Sequence, residues 1–84
     1  MMPKNIVWKD RAKDELRAIE QGTALRILHA LARAIITGEG DVKRLQGIEP
    51  PEFRLRVGDY RVRFRDFNDS IEILSVKHRS EAYR

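Results

Sequence analysis

Five arginines, Arg54, Arg56, Arg61, Arg63 and Arg65, crowd into residues 54–65, where only Asp59 opposes them. Guanidinium groups stay charged at any working pH and grip oxyanions through paired N–H donors, so this density describes a surface for a polyanion. A solvated strand face with no partner would carry the same cluster. Lys77, His78 and Arg79 follow in a row near the C-terminus, ahead of Tyr83. Histidine is the side chain suited to acid–base work near neutrality, although a hydrogen-bonded strand-end histidine fits this position equally. Lys77 is an alternative group for proton transfer, and Arg79 offers a fork of donors to a phosphate.

Other chemistries find no residues. Cysteine is absent, which removes thiolate zinc sites, disulfides and cysteine nucleophiles. The carboxylates Asp59, Asp66, Asp69, Glu72 and Glu81 are scattered rather than spaced as metal ligands, and His29 lies in a helical stretch without a second ligand nearby. No metal or other cofactor is expected. The net charge is only +4, from 17 Lys and Arg against 13 Asp and Glu, so the placement of charge matters more than its sum.

These residues need a scaffold, and 84 residues suffice for one domain over residues 1–84 with one core. Asn5-Ile6-Val7-Trp8 reads as a first strand. Asp10 suits a helix N-cap, with Ala12, Leu16 and Ile19 at helical spacing up to Glu20. Gly22 interrupts. A second helix from about Thr23 carries Leu25, Leu28, Leu31, Ala32, Ile35 and Ile36 on a broad stripe and closes at Gly38 and Gly40. Residues 41–52, with Gly47, Pro50 and Pro51, read as a loop.

Beyond the loop the period becomes two. Leu55 and Val57 alternate with Arg54 and Arg56; after a turn at Gly58-Asp59, Val62 and Phe64 alternate with Arg61, Arg63 and Arg65. Residues 71–76 follow as an inner strand, and residues 77–84 as a polar strand end or short helical tail. Trp8 and Phe53 suit the core, and Tyr60 either packs or lines a groove. The expected architecture is α+β: strand, two helices, then a three-strand meander, with the helices on one face of a mainly antiparallel twisted sheet. Its alternation sends all five arginines to the opposite face, an arrangement that costs stability unless something anionic meets it. The N-terminus has no apolar run long enough for a signal peptide or a membrane span, so a cytoplasmic protein without a membrane partner is expected.

Several segments together resemble the RelE/ParE toxin superfamily: Trp8, Ala12-x-x-x-Leu16, Lys43-x-Leu45-x-Gly47, the run from Phe53 through Val62 (FRLRVGDYRV), and His78-Arg79-x-x-x-Tyr83-Arg84. The match spans nearly the whole chain in order. The resemblance implies a toxin of a type II toxin–antitoxin system. On its RelE side it implies an endoribonuclease, an mRNA interferase that enters the ribosome and cuts messenger RNA through the RNA's own 2′-hydroxyl, without a metal. The ParE side implies a DNA gyrase inhibitor with no nuclease activity, and a degenerate nucleic-acid-binding relative is a third outcome. The tail with His78, Arg79 and Tyr83 favours RelE.

The resemblance makes Arg61 the phosphate-stabilising arginine of the family's GxYR segment and Tyr83 its C-terminal tyrosine, which stacks on a base or assists proton transfer. Arg54 stands where the family has a lysine that acts as base. Arginine stabilises charge but accepts protons poorly, so this departure leaves the base unassigned, with Lys77 and His78 as candidates. The expected catalytic set is therefore Arg54, Arg61, Lys77, His78, Arg79 and Tyr83, with Lys43, Arg44, Arg56 and Arg63 binding RNA. Lys9, Arg11, Lys13 and Arg17 add positive charge for docking on ribosomal RNA. The implied partners are the ribosome with its messenger and a cognate antitoxin, acidic and partly disordered, that folds on binding and can assemble with the toxin into a heterotetramer.

Overall fold

A computed structural model describes residues 5–67 and 69–82. In chain order the elements are β1 (Asn5–Trp8), α1 (Asp10–Arg17), α2 (Gln21–Thr37), β2 (Asp41–Arg44), β3 (Glu52–Val57), β4 (Tyr60–Asp66), β5 (Ser70–His78) and α3 (Arg79–Ala82). The strands form one mixed sheet in the order β1-β5-β4-β3-β2. Strands β2 to β5 run antiparallel to their neighbours, and β1 lies parallel to β5 at the edge. No described helix is long and apolar enough to cross a membrane.

One core explains the layering. Leu55, Val62, Phe64, Ile71, Ile73 and Val76 of the sheet meet Ala12 of α1 and Ile27 and Leu31 of α2. Trp8 and Phe53 pack at its rim, Phe53 stacking on Phe64 with ring centroids 5.5 Å apart. The stripe of α2 is rotated from the expected one: Ile27 is fully buried, whereas Leu25 and Ile36 are exposed. Burial selects residues on one narrow face, and a broad apolar stripe does not reveal from sequence which part of it that is.

Helix boundaries differ from the expectation for capping reasons. Helix α1 ends at Arg17, not Glu20, and its N-cap is Lys9, leaving Asp10 as an acid in the first turn. Glu20 instead begins α2, where its carboxylate accepts hydrogen bonds from the Gly22 and Thr23 amides at 2.8 and 2.9 Å. Gly22 therefore lies inside the first turn of α2 rather than between helices. Gly38, at φ 76°, ends α2 in the left-handed conformation that favours glycine, its amide donating to the Ala34 carbonyl.

The larger correction is β2. Residues 41–44 are a strand, paired through Val42↔Leu55, and so the expected three-strand meander is a four-strand one. Three of its four residues are charged, a composition that hides the apolar alternation but suits an edge strand.

Register supplies the arrangement that positions everything else on the open face of the sheet. Side chains of paired residues on neighbouring strands share a face. At one end of that face stands the row Glu52–Arg65–Glu72–Val7. Its charges alternate. Glu52, only 3% exposed, is hydrogen-bonded to Arg63 Nη2 and lies 3.6 Å from Arg65 Nε, and Arg65 Nη1 is 3.8 Å from Glu72, which also meets Lys9. The half-exposed arginines Arg63 and Arg65 are thus neutralised within the fold.

Two outcomes follow. The amide bonds from Gly22 and Thr23, then the Thr23 hydroxyl, lower the Glu20 pKa from its ordinary 4.5. A depressed carboxylate stabilises the fold fully above its ordinary value, and that contribution is lost as pH falls through the lowered one. An NMR titration of the Gly22 and Thr23 amides should accordingly show a midpoint below 4.5. Secondly, Glu52→Gln should leave Arg63 and Arg65 without their shared acid and reduce stability by about 1–3 kcal/mol, read as a lower urea midpoint with unchanged slope.

Candidate nucleic-acid interface

The opposite end of the open face is built differently. Register gives two further rows there, Lys43–Arg54–Arg63–Ser75 and Asp41–Arg56–Arg61–Lys77. Strands lie about 4.8 Å apart, so Arg54 faces Arg63 and Arg56 faces Arg61 at close quarters. Asp41, Lys43, Arg54, Arg56 and Arg61 line one cleft of about 170 Å³. It gathers four cations and one carboxylate, an anion site in which arginine forks and a lysine can hold phosphate oxygens.

Arg61 is 7% exposed, and its Nη1 donates to the Gly58 and Tyr60 carbonyls at 3.0 Å each. Those carbonyls belong to or adjoin the tight turn between β3 and β4, where Gly58 at φ 57° lets the chain reverse in two residues. The guanidinium is therefore fixed at the wall of the cleft. Its other nitrogens make no hydrogen bond among the described residues, which leaves donors for an anion.

A bulge decides where the tail residues go. Arg63 pairs with Ser75 but Phe64 with Ile73, so Leu74 is an extra residue and the facing of β5 reverses there. Ile73 and Val76 both enter the core as a result, and Glu72 and Lys77 share the open face. Lys77 stands beside Arg61, with Nζ 3.9 Å from Glu15 of α1. The other Glu15 oxygen accepts the Val76 amide at 3.0 Å, so α1 satisfies the edge of β5 beyond the end of β1.

His78 falls on the helix-facing side, in register with Tyr60 and edge-on to its ring at 5.5 Å. Its Nδ1 accepts the Ser80 amide at 3.2 Å and lies 2.9 Å from the Ser80 hydroxyl, placing any proton of the neutral ring on Nε2. Arg79 is tied to the β3–β4 turn: its amide donates to the Asp59 carbonyl at 2.6 Å and its Nε lies 3.7 Å from the Asp59 carboxylate. Arg44, in register with Phe53, points away from the cleft and pairs with Glu49 at 3.7 Å. Tyr83 lies outside the described residues.

The structure thus brings Lys43, Arg54, Arg56 and Arg61 together, sets Lys77 next to them, binds Arg63 to Glu52, and keeps His78 and Arg44 on the other side. Sequence reasoning missed Asp41 in the cleft and Glu15 behind Lys77. Asp41 became legible only once residues 41–44 paired with β3, because register alone sets it opposite Arg56. Among the described residues no three His, Asp or Glu side chains gather as a metal site requires.

Comparison with known proteins identifies the fold and the family. Residues 6–83 match the family model for the ParE toxin of the type II toxin–antitoxin system, parDE. No curated protein matches the chain. Among solved structures, the archaeal RelE–RelB complex of Pyrococcus horikoshii OT3 includes a chain with TM-score 0.79 and 24% identity, the match covering 96% of this chain and 100% of that one. The RelB–RelE antitoxin–toxin complex of Methanococcus jannaschii gives 0.77 and 21%, covering 92% and 94%. The YoeB dimer of Staphylococcus aureus gives 0.74 and 16%, covering 92% and 98%. At these identities the likeness to solved structures is one of fold. The family match carries the assignment: the chain belongs to the ParE toxin family of type II toxin–antitoxin systems.

Proposed function

We propose that this toxin is an endoribonuclease that cuts messenger RNA on the ribosome by attack of the RNA's own 2′-hydroxyl. The observation that carries the reading is the cleft of Lys43, Arg54, Arg56 and Arg61 with Lys77 adjoining. In-line transesterification requires cations on the phosphate oxygens, a group to take the 2′ proton and a donor for the leaving 5′ oxygen. Arg56 and Arg61, side by side on β3 and β4, supply the first. Lys77, at the end of the same row, would protonate the leaving oxygen. Arg54 and Lys43 in the next row extend the grip along the strand. Only RNA carries the attacking hydroxyl, so the chemistry itself rejects DNA.

The tail takes a supporting part. Arg79, held at the turn beside Arg61, and Tyr83 beyond it would engage the neighbouring nucleotide, the ring by stacking. His78, turned to Tyr60, orders the start of α3 in this reading rather than moving the proton. An acidic antitoxin segment that neutralised the cleft and covered exposed Leu25 and Ile36 would silence the toxin, and the cytoplasm is where it would work. The matching family model is that of a ParE toxin, and the ParE side of the resemblance implies a second reading, inhibition of DNA gyrase by binding.

Purified protein added to a translating system, with the message mapped by primer extension, separates the two. Cuts in phase with codons are expected, and Arg56→Ala and Arg61→Ala should each slow them by about a hundred- to a thousandfold, as removal of a transition-state donor does. Gyrase-dependent DNA breaks without RNA cuts would replace the nuclease reading by the second one. Absence of both would leave a nucleic-acid binder.

A further inference from the structure

A nuclease of this kind must accept the proton of the attacking hydroxyl, and arginine does so poorly. The open face offers few alternatives. Glu52 is nearly buried and shared between Arg63 and Arg65, and Glu72 is shared between Arg65 and Lys9. Both stand in the neutralised row, away from the cleft. His78 faces the opposite side and its Nδ1 is occupied by Ser80. Lys77 is paired with Glu15 and, when charged, has no lone pair to give.

One carboxylate is left among the described residues of this face. Asp41 lines the cleft, is exposed, and makes no hydrogen bond or ion pair with any described residue. Every other described residue lining that cleft is a cation. Register puts Asp41 opposite Arg56, with Arg61 and Lys77 next in the same row. The row therefore reads acceptor, cation, cation, donor across four strands, roughly 14 Å between the outer backbones. That order is what in-line displacement needs, because the nucleophile and the leaving oxygen sit on opposite sides of phosphorus.

We infer that Asp41 is the proton acceptor of the cleavage step, a catalytic residue. The inference rests on the nuclease reading and deepens it. The 2′ oxygen bonds to phosphorus while its proton passes to the Asp41 carboxylate. The bond from phosphorus to the 5′ oxygen breaks, and that oxygen takes a proton from Lys77. The products are a 2′,3′-cyclic phosphate and a 5′-hydroxyl end, and both side chains recover their protonation states by exchange with water. No water, metal or redox partner is consumed.

The test uses the full chain, ribosomes programmed with a defined messenger, and the same RNA with 2′-O-methyl groups as an uncleavable probe of binding. Asp41→Asn should lower the single-turnover cleavage rate by a factor on the order of a hundred or more, as loss of an acid–base group does. Binding of the 2′-O-methyl RNA should be unchanged or tighter, since a negative charge leaves a cationic cleft. Asp41→Glu keeps an acceptor and should retain most of the cleavage. Wild-type-like cleavage by Asp41→Asn overturns the inference and leaves the nuclease reading standing. So does a loss of binding that matches the loss of cleavage, or an equal loss in both variants. If the unsubstituted protein cuts no RNA, the nuclease reading and the inference fall together.

Discussion

A nearly buried glutamate between two arginines makes the open sheet face tenable. The period-two pattern that buries Leu55, Val62 and Phe64 leaves no choice about Arg54, Arg56, Arg61, Arg63 and Arg65, which must emerge together on the other side. Two unit charges about 5 Å apart repel by about 3 kcal/mol at an effective dielectric near 20, less where exposed side chains splay. Two such facing pairs weigh against a net stability of about 5–15 kcal/mol for a whole domain. Glu52 changes the balance by drawing Arg63 towards itself and sharing Arg65 with Glu72, so the repulsive load falls on the rows that line the cleft. The face is therefore divided: alternating charge holds one end together, and the other end gathers an excess of cations suited to an outside anion or an acidic protein segment.

This division gives the sequence pattern a functional meaning that a count of arginines lacks. Arg63 and Arg65 resemble Arg56 and Arg61 in type and spacing, yet the first two are spent on Glu52 and the second two line a cavity. Their neighbours set the difference. Glu52 precedes β3's alternation by two residues and so joins the same face at its far end, while Asp41 and Lys43 arrive from a strand whose pairing is not obvious in the chain.

Legibility in the sequence tracked how strongly local pattern dictated structure. The strands carrying the arginines, the turn at Gly58-Asp59 and the common facing of the five side chains followed from alternation alone. The four-residue strand β2 did not, because an edge strand needs only one apolar side chain, Val42, and fills its other positions with charge. The placement of His78 was hidden by a different device. Extrapolating the alternation from Ile71 and Ile73 sends His78 to the open face, and the single extra residue Leu74 reverses that facing for everything after it. A bulge of one residue leaves no compositional mark in this strand, so pairing, not propensity, assigns the last side chains of β5. The family segments were legible because they are contiguous; Asp41 lies outside them.

The turn between β3 and β4 anchors two things at once. Its Gly58 carbonyl accepts the Arg61 guanidinium, and its Asp59 clasps Arg79 through backbone and side chain. Cleft wall and C-terminal helix thus hang from one two-residue hinge, and a binding protein that pried α3 loose would slacken the mooring of the arginine without ever entering the cleft.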